Sequence, residues 1–262
     1  MAKMTPLRWG LSPLLLLATW EVCARTNFID TRFSPATSAI FQHLIFVAKH
    51  QTLLVDLRAS LQRIAIGYIG GVVLGIALGL AMGILYRVRQ FFYPLMVLLY
   101  PVPKIALLPL VMLVFGVGDL SKIIVIGLGS FFLVLANTLH GIDTLPRQYF
   151  DVAHIFDVRR RDVVTAIVLP GALPSIFTGL RLAIGYSLVV MVAAEISGAQ
   201  AGLGYVIWQS WETFSLKTLY AYVFVLGVLG LFFTLAIDAL QRHWVRWLPP
   251  PSPLSAFRNR RS

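Results

Sequence analysis

Charged residues are so widely spaced along this sequence that long apolar stretches dominate its pattern. Residues 64–86, 123–142 and 218–237 contain no Asp, Glu, Lys or Arg. A helix needs about 20 mostly apolar residues to cross roughly 30 Å of hydrocarbon, and each stretch is long enough. The pattern therefore predicts membrane-spanning α-helices.

Three further stretches are apolar but carry charged residues at their edges or inside them. With these, the predicted spans number six, at approximately 9–24, 62–86, 91–117, 121–139, 175–197 and 218–240. We expect one all-α transmembrane domain over residues 1–262, with both termini on one side of the membrane. A cleaved secretory signal is the alternative for the first stretch, but no A-x-A site follows it, which favours an uncleaved anchor.

Composition and charge agree with this topology. The sequence is 58% hydrophobic and 13% charged, whereas a soluble domain usually carries about twice that charged fraction. Its 22 basic and 11 acidic residues give a net charge of +11, which in a soluble protein would indicate nucleic acid. Thirteen basic residues lie on the side of the termini and six on the other. The positive-inside rule therefore places both termini in the cytoplasm, and no nucleic-acid partner is expected.

Five glycines recur every four residues in the second span, at Gly67, Gly71, Gly75, Gly79 and Gly83. This spacing puts them on one slowly drifting stripe of the helix, where another backbone can approach closely. We interpret the stripe as a helix-packing surface in preference to a pore lining.

The third span is interrupted by prolines. Pro94, Pro101, Pro103 and Pro109 each remove a backbone hydrogen bond, so one straight helix is not expected here. Broken helices at membrane depth are tolerated where they are buried in protein or line a water-filled cavity. Pro101, Pro103 and Lys104 are therefore candidates for a gate or pathway. We favour Lys104 reaching to the inner interface; the alternative is a positive charge that attracts an anionic solute.

Glu195 lies near the outer end of the fifth span. An intramembrane carboxylate usually faces the bundle interior and has a partner, so it marks a polar site. Both a supporting role in packing and direct contact with a solute are compatible with it, and we favour support.

The loop between the fourth and fifth spans, residues 147–170, is the most informative segment. Its pattern predicts a short helix over 151–156, a turn at Asp157 that caps a second helix over 160–167, and a stop at Pro170. Two amphipathic helices beside arginines would form an interfacial anchor or a docking surface for a cytoplasmic partner.

This loop resembles the Glu-Ala-Ala (EAA) motif of the membrane subunits of bacterial ABC importers. The residues that match its ATPase-coupling positions are Asp151, Ala153, Asp157, Leu169 and Pro170. Three other segments, YPVPKIALLPLVMLVFGVGDLSKI, LPGALPSIFTGLRLAIG and AAEISGAQAGLGY, resemble the nitrate, sulfonate and taurine branch of that family. Asp157 stands where the family usually has glycine.

The resemblance implies a type I importer fold (MetI-like) in the bacterial inner membrane. It also implies a homodimer of permease subunits, two cytoplasmic ABC ATPases and a periplasmic or extracellular solute-binding protein. On this reading, a charged residue in place of Ala153 or Leu169 uncouples ATP hydrolysis from uptake of a small anionic solute such as a sulfonate, taurine or nitrate.

No catalytic, cofactor or metal site is predicted in this sequence. It lacks a G-x-x-x-x-G-K-[ST] loop, so ATP and Mg²⁺ are expected on the partner ATPase. Its five histidines lack metal-ligand spacing. The alternative function is an ion-gradient-driven secondary transporter, which broken helices and an intramembrane acid also suit.

Overall fold

The computed structural model describes residues 6–50 and 52–247, and this part of the chain is helical. In chain order its α-helices are α1 (Pro6–Arg25), α2 (Thr37–Lys49), α3 (Thr52–Ile84), α4 (Tyr86–Leu99), α5 (Leu108–Phe115), α6 (Asp119–Asp143), α7 (Arg147–Ile155), α8 (Arg160–Val163), α9 (Leu169–Ile196), α10 (Leu203–Glu212) and α11 (Leu216–Trp244). A 3-10 turn, Lys104–Leu107, precedes α5, and a π-helical turn, Val164–Val168, joins α8 to α9.

Four helical segments of the described chain are long and apolar enough to cross a membrane. They are α3, α6, α11 and the 37-residue segment from Arg160 to Ile196 that contains α8, the π-helical turn and α9. A fifth candidate is the pair Tyr86–Leu99 and Lys104–Phe115, which is bent by 91°. An all-helical membrane protein is therefore confirmed. The predicted count of six spans is not confirmed, because the described residues give four or five candidates.

Helices α3, α6 and α9 form the centre of the bundle. Their contact is built around buried aliphatic side chains such as Ile64, Val125, Ile126 and Met191. Helix α11 packs against α9, α2 and α10 but leaves most of its apolar surface exposed, as expected for a helix that faces lipid.

The bundle has two ends, which we name after their short helices. At the α7 end, α3 and α6 finish and α9 begins, and Trp247 lies beside Pro170. At the α10 end, α6 begins, α9 finishes, and His43 of α2 bonds Thr218 near the start of α11. The α7 end therefore contains the segment that resembles the coupling motif.

The break between α4 and α5 lies within the bundle. Its Lys104 is near the ring of Phe132, which is halfway along α6. The prediction that no straight helix runs through 91–117 agrees with this bend. The prediction that Pro170 stops a helix was wrong, because Pro170 directly follows the π-helical turn and the helical segment continues through it from Arg160 to Ile196.

Candidate functional site

Helix α7 ends in a tight left-handed turn at Asp157. Asp157 has φ = 47°, its backbone N–H donates to His154 O at 3.1 Å, and the N–H of Val158 donates to Ala153 O at 2.9 Å. This pair of bonds is the Schellman arrangement that closes many helices, usually with glycine at the left-handed position. Asp157 thus keeps the backbone geometry that glycine would favour.

The predicted capping role of Asp157 was wrong. The residue before α8 is Arg159, and no side-chain hydrogen bond caps that helix. Asp157 ends α7 in the left-handed conformation and lies two positions before the N-cap position of α8. Its side chain therefore does not accept the first N–H groups of α8.

Helix α7 has one face toward the bundle and one away from it. Phe150 packs against Ile142 and Val168, and Ala153 is buried. On the opposite side, large apolar side chains are exposed, including Ile155 (76%) and Phe156 (75%). An apolar surface presented on a fixed turn is typical of a protein-docking site.

The other predicted coupling residues lie on this helix or beside it. Asp151 is exposed, Leu169 is 37% exposed, and Pro170 lines a shallow groove with Tyr149 and Trp247. The π-helical turn that precedes Leu169 is a local irregularity of a kind often found at functional positions. The segment 147–170 therefore forms one structural unit at the α7 end.

Lys104 closes the break after α4. Its ammonium donates to the carbonyl oxygens of Leu99, Tyr100 and Val102 at 2.7 to 2.8 Å and lies 4.3 Å from the centre of the Phe132 ring. The interpretation that Lys104 reaches to the inner interface was wrong, because the side chain is buried and satisfies the carbonyls freed by the broken helix. Pro101 and Pro103 flank these carbonyls at the break itself.

Glu195 is fully buried at the α10 end. One carboxylate oxygen, Oε1, accepts hydrogen bonds from Ser60 Oγ and Arg63 Nη1, both at 2.7 Å, and Oε2 accepts the N–H of Gly204 at 2.8 Å. Gly202 has φ = 138°, and a Cβ there would come within 2.6 Å of the carboxylate, so only glycine fits. Glu195 therefore joins α3, α9 and the start of α10.

More polar groups extend this cluster than the sequence pattern indicated. Arg63 also bonds Asp119, Asp56 accepts the N–H of Gly202 and the hydroxyl of Tyr222, and Lys122 donates to three carbonyl oxygens, those of Val117, Gly118 and Gly198. We call Asp56, Ser60, Arg63, Asp119, Lys122 and Glu195 the charge network. Asp56, Ser60 and Arg63 of α3 are four and three residues apart, and Gly67, the first glycine of the stripe, follows four residues later. This spacing places the three polar residues on the same face of α3 as the glycines, and it is the sequence signal that could have predicted them.

The five glycines of α3 lie along its contact with α6. A Cβ on Gly71 would come 2.3 Å from Gly127 O, and one on Gly75 would come 2.8 Å from Phe131 O. The two helix backbones therefore approach too closely for side chains at these positions. This contact links the charge network to the α7 end.

Comparison with known proteins agrees with these features. The model of a family described as "Binding-protein-dependent transport system inner membrane component" matches residues 71–248. The taurine transport system permease protein TauC of Escherichia coli K12 is 34% identical over 238 residues, which cover 89% of this chain and 86% of that protein. The putative aliphatic sulfonates transport permease protein SsuC of Bacillus subtilis is 30% identical, with 90% and 86% covered.

A third relative is the nitrate import permease protein NrtB of Leptolyngbya laminosa, 33% identical over 69% of this chain and 65% of that protein. With these matches, the chain belongs to the family of inner membrane components of binding-protein-dependent transport systems, which are transport permeases and not enzymes. Within that family it is an ABC importer permease of the nitrate, sulfonate and taurine branch.

Proposed function

We propose that this chain is the permease subunit through which a small anionic solute, of the sulfonate, taurine or nitrate kind, enters the cell after delivery by an external binding protein. Three relatives carry these solutes in their names, which supports this class without selecting one member. Both termini and the α7 end face the cytoplasm in this proposal, because the arginine-rich loops lie at that end.

The observation that carries the proposal is the apolar surface of α7 with its fixed left-handed turn. Ile155 and Phe156 protrude beside the turn at Asp157, and the backbone hydrogen bonds donated by Asp157 and Val158 hold the turn in place. This surface docks a separate ABC ATPase, which binds ATP and Mg²⁺. A secondary transporter would have no use for such a surface.

Force from the ATPase would travel along one helical segment. Residues 160–196 run without a break from beside α7 to Glu195, a length of about 55 Å at 1.5 Å per residue. Movement of α7 would therefore tilt α9 and carry the α10 end with it. A second copy of the chain, which we also propose, would form the other half of the pathway, and the exposed apolar side chains of α4 and α5 offer it a surface.

The test of docking is a matched pair of variants at the two ends. Phe156→Asp places a charge on the α7 surface. Phe28→Asp does so at a comparably exposed aromatic residue, 83% exposed, in the loop between α1 and α2, where Phe33 O accepts the hydroxyl of Tyr220 near the start of α11. We expect Phe156→Asp to abolish copurification of the ATPase and Phe28→Asp to retain it, with both variants at normal levels in the membrane. Normal ATPase recovery with Phe156→Asp would contradict the proposal.

The solute requires a separate measurement. Uptake of labelled taurine, nitrate and a short alkanesulfonate by cells that express the complete transporter would identify it, together with binding of the same compounds to the external binding protein. Uptake of a solute without an anionic group, and of none of these compounds, would contradict the proposed class.

A further inference from the structure

Helix α9 carries an arginine at membrane depth. Arg181 lies 12 residues after Leu169 and 14 before Glu195, or about 18 Å and about 21 Å along the helix axis at 1.5 Å per residue. Asp238 of α11, its ion-pair partner, lies six residues before Trp244, or about 9 Å. Both groups therefore lie inside the predicted spans 175–197 and 218–240, in the part nearer the α7 end.

The Arg181–Asp238 pair is only partly covered by the rest of the protein. The Arg181 side chain is 41% exposed and the Asp238 side chain 33%, whereas the paired side chains of Arg63 and Glu195 are 6% and 0% exposed. Arg181 Nη2 contacts Asp238 and donates to Gln241 Oε1 at 2.8 Å. Arg181 Nε has no hydrogen-bond partner among the described residues. The guanidinium thus retains unused donor capacity.

A lipid-facing position does not explain this pair. An exposed charge in hydrocarbon is costly, and intramembrane ionisable residues usually face a bundle interior or a water-filled cavity. A long arginine side chain can reach toward the headgroups, but the short side chain of Asp238 cannot reach as far. Next to the pair on α9, Thr178 is polar and exposed, and a Cβ on Gly185 would meet nothing within 4 Å.

We propose that Arg181 faces a water-filled part of the transport route and binds the anionic group of the solute there. Asp238 and Gln241 hold the guanidinium when no solute is present, and the sulfonate, carboxylate or nitrate oxygens replace the Asp238 carboxylate during passage. This role rests on the proposed function, because it assumes that the solute is an anion. The presence of water and positive charge at Arg181 does not depend on that assumption and can be measured alone.

Thiol labelling measures both properties. Cys23 is the one cysteine of the sequence, so Cys23→Ser gives a background without thiols, to which Thr178→Cys adds one a single helical turn from Arg181. Membrane vesicles that contain the full chain and its ATPase are treated with two methanethiosulfonates of similar size, one bearing a sulfonate and one a trimethylammonium group. Val73→Cys, exposed in an uncharged stretch of α3, is the control for a lipid-facing thiol.

We expect Thr178→Cys to react with both reagents and Val73→Cys to react with neither. Adding Arg181→Gln should lower the ratio of the sulfonate rate to the trimethylammonium rate by about thirtyfold, because a nearby unit charge worth roughly 1 kcal/mol changes each rate about fivefold, in opposite directions. Arg181→Lys, which keeps the charge, should leave the ratio nearly unchanged, and Asp238→Asn should raise it.

Two results would overturn this proposal. One is labelling of Thr178→Cys no faster than that of Val73→Cys, which would mean that lipid or another protein surface covers the position. The other is a rate ratio that Arg181→Gln leaves unchanged. Neither rate requires ATP hydrolysis or a particular solute, so failure of the proposed function would appear separately, as absent ATPase docking or absent anion uptake.

Discussion

The two ends of the bundle use charge in opposite ways. At the α10 end, Arg63 and Glu195 are buried, and side chains or backbone N–H groups occupy both carboxylate oxygens. At the α7 end, Arg89 and Asp143 form a bidentate pair at 2.6 and 2.8 Å that is 37% and 40% exposed. An arginine and an acidic residue thus form a buried ion pair at one end and a partly exposed ion pair at the other.

In the proposed function, the α10 end moves as a unit and the α7 end binds the ATPase. The charge network ties α3, α6, α9, α10 and α11 together, and all of its members except Asp119 are buried. The α7 end instead presents Ile155 and Phe156 on a turn held by backbone bonds. A transporter that is driven by a partner at one end needs a docking surface at that end. It also needs a rigid opposite end, so that movement of the docking surface moves the opposite end as well.

Removal of the Glu195 carboxylate should have the largest effect on stability among the variants that test this difference between the two ends. Glu195→Ala would leave Arg63 buried with only the exposed Asp119 as its acidic partner, and would leave the Gly204 N–H without an acceptor. Breaking a buried ion pair typically costs about 3–5 kcal/mol. We expect a loss of that order in the free energy of unfolding, measured as a lower midpoint of thermal unfolding in detergent.

The matched control is Asp143→Asn, which breaks the exposed pair at the α7 end. Surface ion pairs contribute about 0–1 kcal/mol, so its midpoint should stay near that of the wild type. Equal losses for the two variants would remove the distinction between the ends.

Sequence reasoning predicted the parts of this structure that depend on local pattern. Apolar length predicted the long helices, proline spacing predicted the break near Pro101, and the four-residue glycine repeat predicted a close contact for α3. Burial of Lys104 could not be predicted, because its partners are carbonyl oxygens that become free only where the helix breaks. The partners of Glu195 were missed because Ser60 and Arg63 are 135 and 132 residues away in sequence.

An added methyl group at the α3–α6 contact should have the second largest effect. The Cβ of Gly71→Ala would lie 2.3 Å from Gly127 O, a backbone atom that can move only with its helix. Overpacking of this kind typically costs about 1–3 kcal/mol. The contact lies between the two ends, so we also expect Gly71→Ala to reduce uptake more than it reduces ATPase copurification, when the two are measured on the same vesicles.

Gly70→Ala is the adjacent control. A Cβ at Gly70 would meet nothing within 4 Å, and alanine favours a helix over glycine by about 1 kcal/mol. Thermal unfolding of Gly70→Ala should therefore occur at or above the wild-type temperature. A loss of stability equal to that of Gly71→Ala would show that helix propensity, and not the close contact, governs this stripe.

Substitution of Asp157 should have the smallest effect on stability. The effect should be limited to the α7 end, so it tests whether the two ends are independent. A left-handed conformation costs most L-residues roughly 1–2 kcal/mol, and aspartate somewhat less, so Asp157→Gly should stabilise the turn by under about 1 kcal/mol. Asp157→Val, whose β-branched side chain tolerates this conformation poorly, should loosen it. Hydrogen exchange at the Val158 amide, which donates to Ala153 O, should slow in Asp157→Gly and quicken in Asp157→Val. The Gly204 amide, bonded to Glu195 at the α10 end, should exchange at the wild-type rate in both variants; a change there would mean that the turn at Asp157 and the charge network are already coupled without an ATPase.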